Sequence, residues 1–162
     1  MTRMQPASTT LIDLQLAHEA ADLPGVDDFT RWADAALEEA GHAAPVEITV
    51  RLVDAAESRQ LNRDFRGKDK PTNVLSFPSE LPDFLKDQLE VLPLGDLVMC
   101  VPVVVAEAAE QGKALRDHWA HLTLHGVLHL LGFDHLDDRE AEDMEAREIR
   151  ALAGLGIANP YE

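Results

Sequence analysis

His125-Gly-Val-Leu-His129-Leu-Leu-Gly-Phe-Asp-His135 is the stretch on which the reading of this chain turns. On an α-helix, residues four apart differ by about 40° around the axis and sit one turn apart, so His125 and His129 can aim at one point. A continuous helix would carry His135 roughly 240° round from His129, away from that point. Gly132 resolves this, because it can adopt the left-handed conformation that ends a helix and turns the chain back. The spacing therefore predicts a helical histidine pair, and a loop that returns a third imidazole to it. Neutral imidazole is a good zinc ligand, and three protein ligands leave one position for water. His125, His129 and His135 are thus the expected ligands of a single catalytic Zn²⁺. Asp134, beside His135, is expected to orient a ligand or to move a proton.

The segment from Ala114 to Leu131 reads as a long apolar helix, and five of the seven histidines lie between positions 118 and 135. His121, one turn before His125, is read as packing or as backing a ligand, in preference to a fourth ligand. Zinc peptidases of the His-Glu-x-x-His type carry a glutamate base directly after the first histidine. Gly126 stands there, which argues against peptidase chemistry. Beyond Gly132, Asp137 and Glu140 predict a capping box opening a last helix that ends near Gly154.

Upstream, Leu11–Leu16 and Val46–Leu52 alternate as strands. Phe29, Trp32, Ala33, Ala36, Leu37 and Ala40 recur at helical spacing, with Asp27 or Asp28 as cap and Gly41 as stop. Asp54 and Glu57 suggest a second capping box and a helix to about Phe65. Asn73–Phe77 reads as a short strand, 79–93 as an irregular insert between prolines, and Gly95–Cys100 as another strand. Pro102 suits the first turn of a helix reaching about Gln111. Late helices after a small sheet predict an α+β domain. One domain over 1–162 is expected, with 1–9 and 158–162 as loose ends.

The chain has 162 residues and a net charge of −16, which speaks against a surface coated in phosphate contacts. The charge is uneven. Five basic and two acidic residues lie from Arg59 to Lys70, against two basic and eight acidic from Asp134 to Glu148. Arg66 offers a planar fork for phosphate and Lys68 and Lys70 point charges, while Asn73 and Ser76 add neutral hydrogen bonds. The lone Cys100 cannot form an internal disulfide and reads as a small buried hydrophobe. With no apolar run of about 20 residues and no secretory signal, the expected location is cytoplasmic, away from membrane.

Three runs in order, RGKDKPTNVLSFP (66–78), LGDLVM (94–99) and HGVLHLLGFDH (125–135), resemble the YbeY family of bacterial endoribonucleases. The resemblance covers roughly residues 10–155. It implies a zincin-like α+β fold, with a small mixed sheet of about four strands beside a metal-bearing helix near the C-terminal end. It implies zinc-dependent cleavage of single-stranded RNA in maturation of the 16S ribosomal RNA 3′ end and in ribosome quality control. The family's metal histidines match His125, His129 and His135, and its functional arginine matches Arg66. Phe133 replaces a tyrosine common in the family, so no hydroxyl is needed there. The acidic body points to the ribosomal small subunit or its proteins sharing in recruitment. Two competing readings are a metal-dependent hydrolase of a non-RNA ester or amide, and a non-enzymatic ribosome assembly factor with a structural zinc.

Overall fold

The computed structural model describes residues 10–42, 45–86, 88–134 and 136–161. Its sheet has the order β1-β2-β4-β3, from β1 (Thr10–Leu16), β2 (Val46–Val53), β3 (Val74–Pro78) and β4 (Leu92–Cys100). The first three strands of that order run parallel; β3 closes one edge antiparallel to β4. This is the α+β class the element order predicts, with the mixed four-stranded sheet that the family resemblance implies.

The two central strands are apolar along one face, and on the other only toward their C-terminal ends. Ile48, Val50 and Leu52 of β2, with Leu97 and Met99 of β4, join the larger core. Val53, Leu75, Val98 and Cys100 face a smaller one on the other side. Period-two alternation sets this division. The larger core is covered by α1 (Val26–Glu39), α5 (Leu115–Leu130) and α6 (Asp138–Gly154), with Phe29 edge-on to Trp119 at 6.5 Å. Leu61 of α2 (Ala55–Arg66) and Val103 of α4 (Val101–Gln111) pack on the smaller one. Cys100 is fully buried, and burial pushes its thiol up.

Several boundaries differ from the sequence reading, each for a local reason. Gly25, not Asp27 or Asp28, caps α1; Asp28 stands at the third helical position and its carboxylate accepts from the Gly25 N–H at 2.9 Å. Asp54 accepts from Glu57 N–H as expected, but the Glu57 carboxylate pairs with Arg51 at 2.6 and 3.0 Å rather than closing a capping box. The insert after β3 contains one short helix, α3 (Asp83–Lys86). Strand β4 begins at Leu92, three residues before the predicted Gly95. Pro93 is tolerated because the β2–β4 register shifts there, Glu47 pairing with Pro93 and Ile48 with Gly95. Within the segment 158–161, Tyr161 is hydrogen-bonded to α6. Residues 1–9 and Glu162 lie outside the described residues. No described helix is long and apolar enough to cross a membrane.

Candidate active site

Helix α5 is buried on almost every side, and its histidines occupy the remaining stripe. At about 100° per residue, His118, His121, His125 and His129 fall within an arc about 80° wide. The helix ends as Gly132 predicted. Gly132 takes φ 100°, its N–H donates to His129 C=O, and Phe133 N–H donates to Leu128 C=O. This pair of bonds is a Schellman stop, which redirects the chain just past His129. The Phe133 ring lies under the Arg147 guanidinium at 4.6 Å. His135 lies outside the described residues.

Each imidazole on the stripe has a carboxylate behind it. His118 Nε2 meets Glu107 Oε1 at 3.0 Å. His121 Nε2 and His125 Nδ1 both meet Glu148 Oε1, at 2.9 and 3.0 Å. His129 Nδ1 lies 4.0 Å from Asp134 Oδ1. His121 is thereby turned toward Glu148 and bonds that carboxylate. The Tyr161 hydroxyl donates to Glu148 Oε2 at 3.0 Å. Burial, then the Glu148 charge, hold the Tyr161 phenol well above its usual range.

With Nδ1 of His125 committed to Glu148, its Nε2 faces Nε2 of His129 at 3.1 Å. Two nitrogen lone pairs at this separation repel unless a proton or a cation stands between them. Ligand nitrogens at about 2.0–2.1 Å from a tetrahedral zinc are about 3.3 Å apart, so this donor pair fits such an ion. Among the described residues no three metal-binding side chains form a group, and the predicted third ligand is not among those residues.

Gly126 sits between the two histidines because α5 touches the sheet there. A Cβ at this position would meet Leu97 Cδ2 at 2.8 Å and Ser76 Oγ at 3.4 Å. A glutamate of the peptidase pattern would have to displace the Leu97 side chain. Ser76 Oγ donates to Gly126 C=O at 3.3 Å. Asn73 donates to Glu107 at 3.1 Å and accepts from Val74 N–H at 2.6 Å. Ser76 thus fastens β3 to the histidine helix, and Asn73 fastens the preceding loop to α4, whose Glu107 in turn meets His118.

The basic loop is preshaped. Gly67, at φ 70°, ends α2. The buried Asn62 donates to Lys70 C=O at 2.8 Å, and the buried Ser58 exchanges two hydrogen bonds with the Thr72 backbone. Asp69 is spent on Arg59 through two bonds, at 2.7 and 3.0 Å. Arg66, Lys68 and Lys70 are left exposed to solvent. Phe65 packs edge-on against Phe77 of β3 at 5.2 Å, and the neighbouring Ser76 touches α5. The end of α2 and the histidine stripe thus flank the same short edge strand.

Glu148 is the residue sequence reading missed. It is 1% exposed. A signal existed: Met144, Ala151 and Leu152 form the buried stripe of α6, and Glu148 interrupts it at helical spacing. Burial alone would raise its pKa, but hydrogen bonds from His121 and His125, and their charge, outweigh that and hold it at about 2. His118 moves the other way in charge: burial lowers its pKa, opposed only in part by Glu107.

The sign of both shifts is the same. A buried neutral His118 stabilises the fold fully above the unfolded value near 6.5, and less as pH falls below it. Glu148 contributes fully above 4.5, and that contribution is lost as pH falls from 4.5 toward about 2. Denaturant midpoints of the metal-free protein are expected to be flat from pH 8 to 7, to fall below about 6.5 and to fall further below about 4.5. His118→Gln, which keeps a donor to Glu107, should flatten the first decline. An unchanged first decline would remove His118 as its cause.

Paired imidazoles backed by a buried carboxylate stand across one strand from an exposed cationic loop, an arrangement suited to a cation at the first and an anion at the second. The family model described as Endoribonuclease YbeY matches residues 17–156. A protein of Alkalilimnicola ehrlichii named Endoribonuclease YbeY is 56% identical over 153 residues, 93% of this chain and 91% of that one. One of the same name from Pseudomonas entomophila is 56% identical over 150 residues, 93% and 92% of the two chains. The solution structure of TM1509 from Thermotoga maritima is similar with a TM-score of 0.54 and 25% identity, over 90% of this chain and 92% of that one. The chain belongs to the YbeY endoribonuclease family.

Proposed function

We propose that this endoribonuclease is zinc-dependent, acts on single-stranded RNA, and serves maturation of the 16S ribosomal RNA 3′ end and ribosome quality control in the cytoplasm. His125, His129 and His135 would hold one zinc ion, with α5 and the edge strand forming a zincin-like site. The observation that carries the reading is the 3.1 Å approach of the His125 and His129 Nε2 atoms, with Glu148 holding the far side of His125. When bound, zinc supplies Lewis-acid polarisation of a phosphoryl oxygen and a water of lowered pKa.

The chain's own residues do the rest. Arg66 stabilises the charge that develops on the phosphorane-like transition state. Lys68 and Lys70 hold flanking phosphates, and the bonds from Asn62 and Ser58 keep their loop in shape before substrate arrives. Asn73 and Ser76 border that path; Ser76 fixes β3 against α5, and Asn73 ties the preceding loop to Glu107 of α4. Asp134, within ion-pair reach of His129, steadies that ring or carries a proton. The acidic body repels free RNA, so the ribosomal small subunit or its proteins present the substrate.

Elemental analysis of purified protein tests the metal. About one zinc per chain is expected in the wild type, and almost none in His129→Ala. Equal zinc in the two, or none in either, would refute the assignment.

A further inference from the structure

The carboxylate of Glu148 is the most completely satisfied buried charge in the described structure. It accepts from three donors on two segments: His121 Nε2–H at 2.9 Å, His125 Nδ1–H at 3.0 Å and the Tyr161 hydroxyl at 3.0 Å. The first two belong to α5 and the third to the C-terminal tail. Tyr161 is itself held in a turn, its N–H donating to Asn159 Oδ1 at 2.8 Å. Its ring stands edge-on to His121 at 5.4 Å, and its hydroxyl lies 3.2 Å from His121 Nε2. The tail therefore closes one side of the histidine stripe.

These bonds decide which nitrogen of His125 carries its proton. A carboxylate 99% hidden from solvent offers only lone pairs, so the Nδ1 facing it must be the protonated one. Its Nε2 is then left with a lone pair, pointed at His129. An imidazole free to rotate or to change tautomer would lose orientation each time a metal ion departs. A doubly buttressed carboxylate removes that freedom.

We infer that Glu148, braced by the C-terminal Tyr161, is a positioning residue that fixes the tautomer and direction of His125 for metal binding. This rests on the zinc reading above, and it assigns the tail a part in the site. Three donors converge on Glu148, so an amide there must turn its own N–H₂ toward at least one of them. Glu148→Gln therefore removes the charge that holds both imidazole N–H groups, with almost no change in volume. Tyr161→Phe removes only the brace.

Zinc affinity of the full chain, read by competition with a chromogenic chelator, is expected to fall about 10- to 100-fold in Glu148→Gln. It should fall about 2- to 10-fold in Tyr161→Phe. The metal-free unfolding temperature of Tyr161→Phe should match the wild type, which separates positioning from folding. Ring ¹⁵N shifts of metal-free wild type should show His125 as the Nδ1–H tautomer, with Nε2–H appearing in Glu148→Gln. If Glu148→Gln fails to fold, Tyr161→Phe decides alone. Wild-type affinity in Tyr161→Phe, or an Nε2–H His125 in the wild type, would overturn the inference. Wild type that binds no zinc would instead defeat the zinc reading, and the tautomer measurement would still decide the role of Glu148.

Discussion

Arg66→Ala is expected to lower cleavage of single-stranded RNA by about 10²- to 10³-fold in kcat, with zinc content and unfolding temperature unchanged. The structural reason is the separation of duties in the α2 end. Asp69 is neutralised by Arg59 and Asp64 lies 3.7 Å from Arg63, so neither acid takes the Arg66 guanidinium. The side chain is exposed, which makes its removal cheap for the fold. Gly67 and the Asn62 bond to Lys70 keep the loop in place without it. Arg66→Lys keeps a charge but loses the planar fork, so its rate should lie between the two. Lys68→Ala and Lys70→Ala should act mainly on KM and on its salt dependence, because a contact to flanking phosphates is made in ground and transition states alike. Arg66→Ala cleaving at the wild-type rate, in protein free of contaminating nuclease, would take Arg66 out of the reaction.

The parts of this protein that were legible in its sequence are those set by local rules. Alternation found β2, helical spacing found α1, a long apolar run found α5, and Gly132 between His129 and His135 announced the turn that ends α5. The order of elements followed, and with it the α+β class; the mixed four-stranded sheet was implied by the family resemblance alone. What stayed hidden depends on contacts distant in sequence. Glu57 resembles a capping-box residue until Arg51, on the preceding strand, claims its carboxylate. Asn73 and Ser76 sit in a basic run that suggests substrate binding, yet they bond Glu107 and Gly126 across the fold. The tail looked loose because nothing local constrains Tyr161; its partner is on α6. Glu148 was within reach of sequence reading, since an acid on an apolar helical stripe needs partners. The stripe of α5 names them only when the two helices are laid together.

Gly95→Ala is expected to be the most damaging small substitution in the sheet, costing about 2–4 kcal/mol of stability. Two costs combine. Gly95 has φ 147°, a conformation that L side chains rarely adopt. A Cβ there would also run into the Phe77 carbonyl oxygen, Leu130 Cδ2 at 2.8 Å and Pro78 Cα at 3.0 Å. The first and last belong to the β3 backbone, which cannot give way without breaking its pairing with β4. Gly41 provides the comparison. It has φ 70° and nothing within 4 Å of a built Cβ, so Gly41→Ala bears only the conformational cost, about 1 kcal/mol. By chemical denaturation, Gly95→Ala should therefore lose at least twice what Gly41→Ala loses. Because Leu130 adjoins His129, the displaced side chain should also disturb the end of α5, and weaker zinc binding should accompany the lost stability. Equal losses for the two variants would mean that β3 does not press against Gly95, and the placement of the edge strand beside the histidines would fall with it.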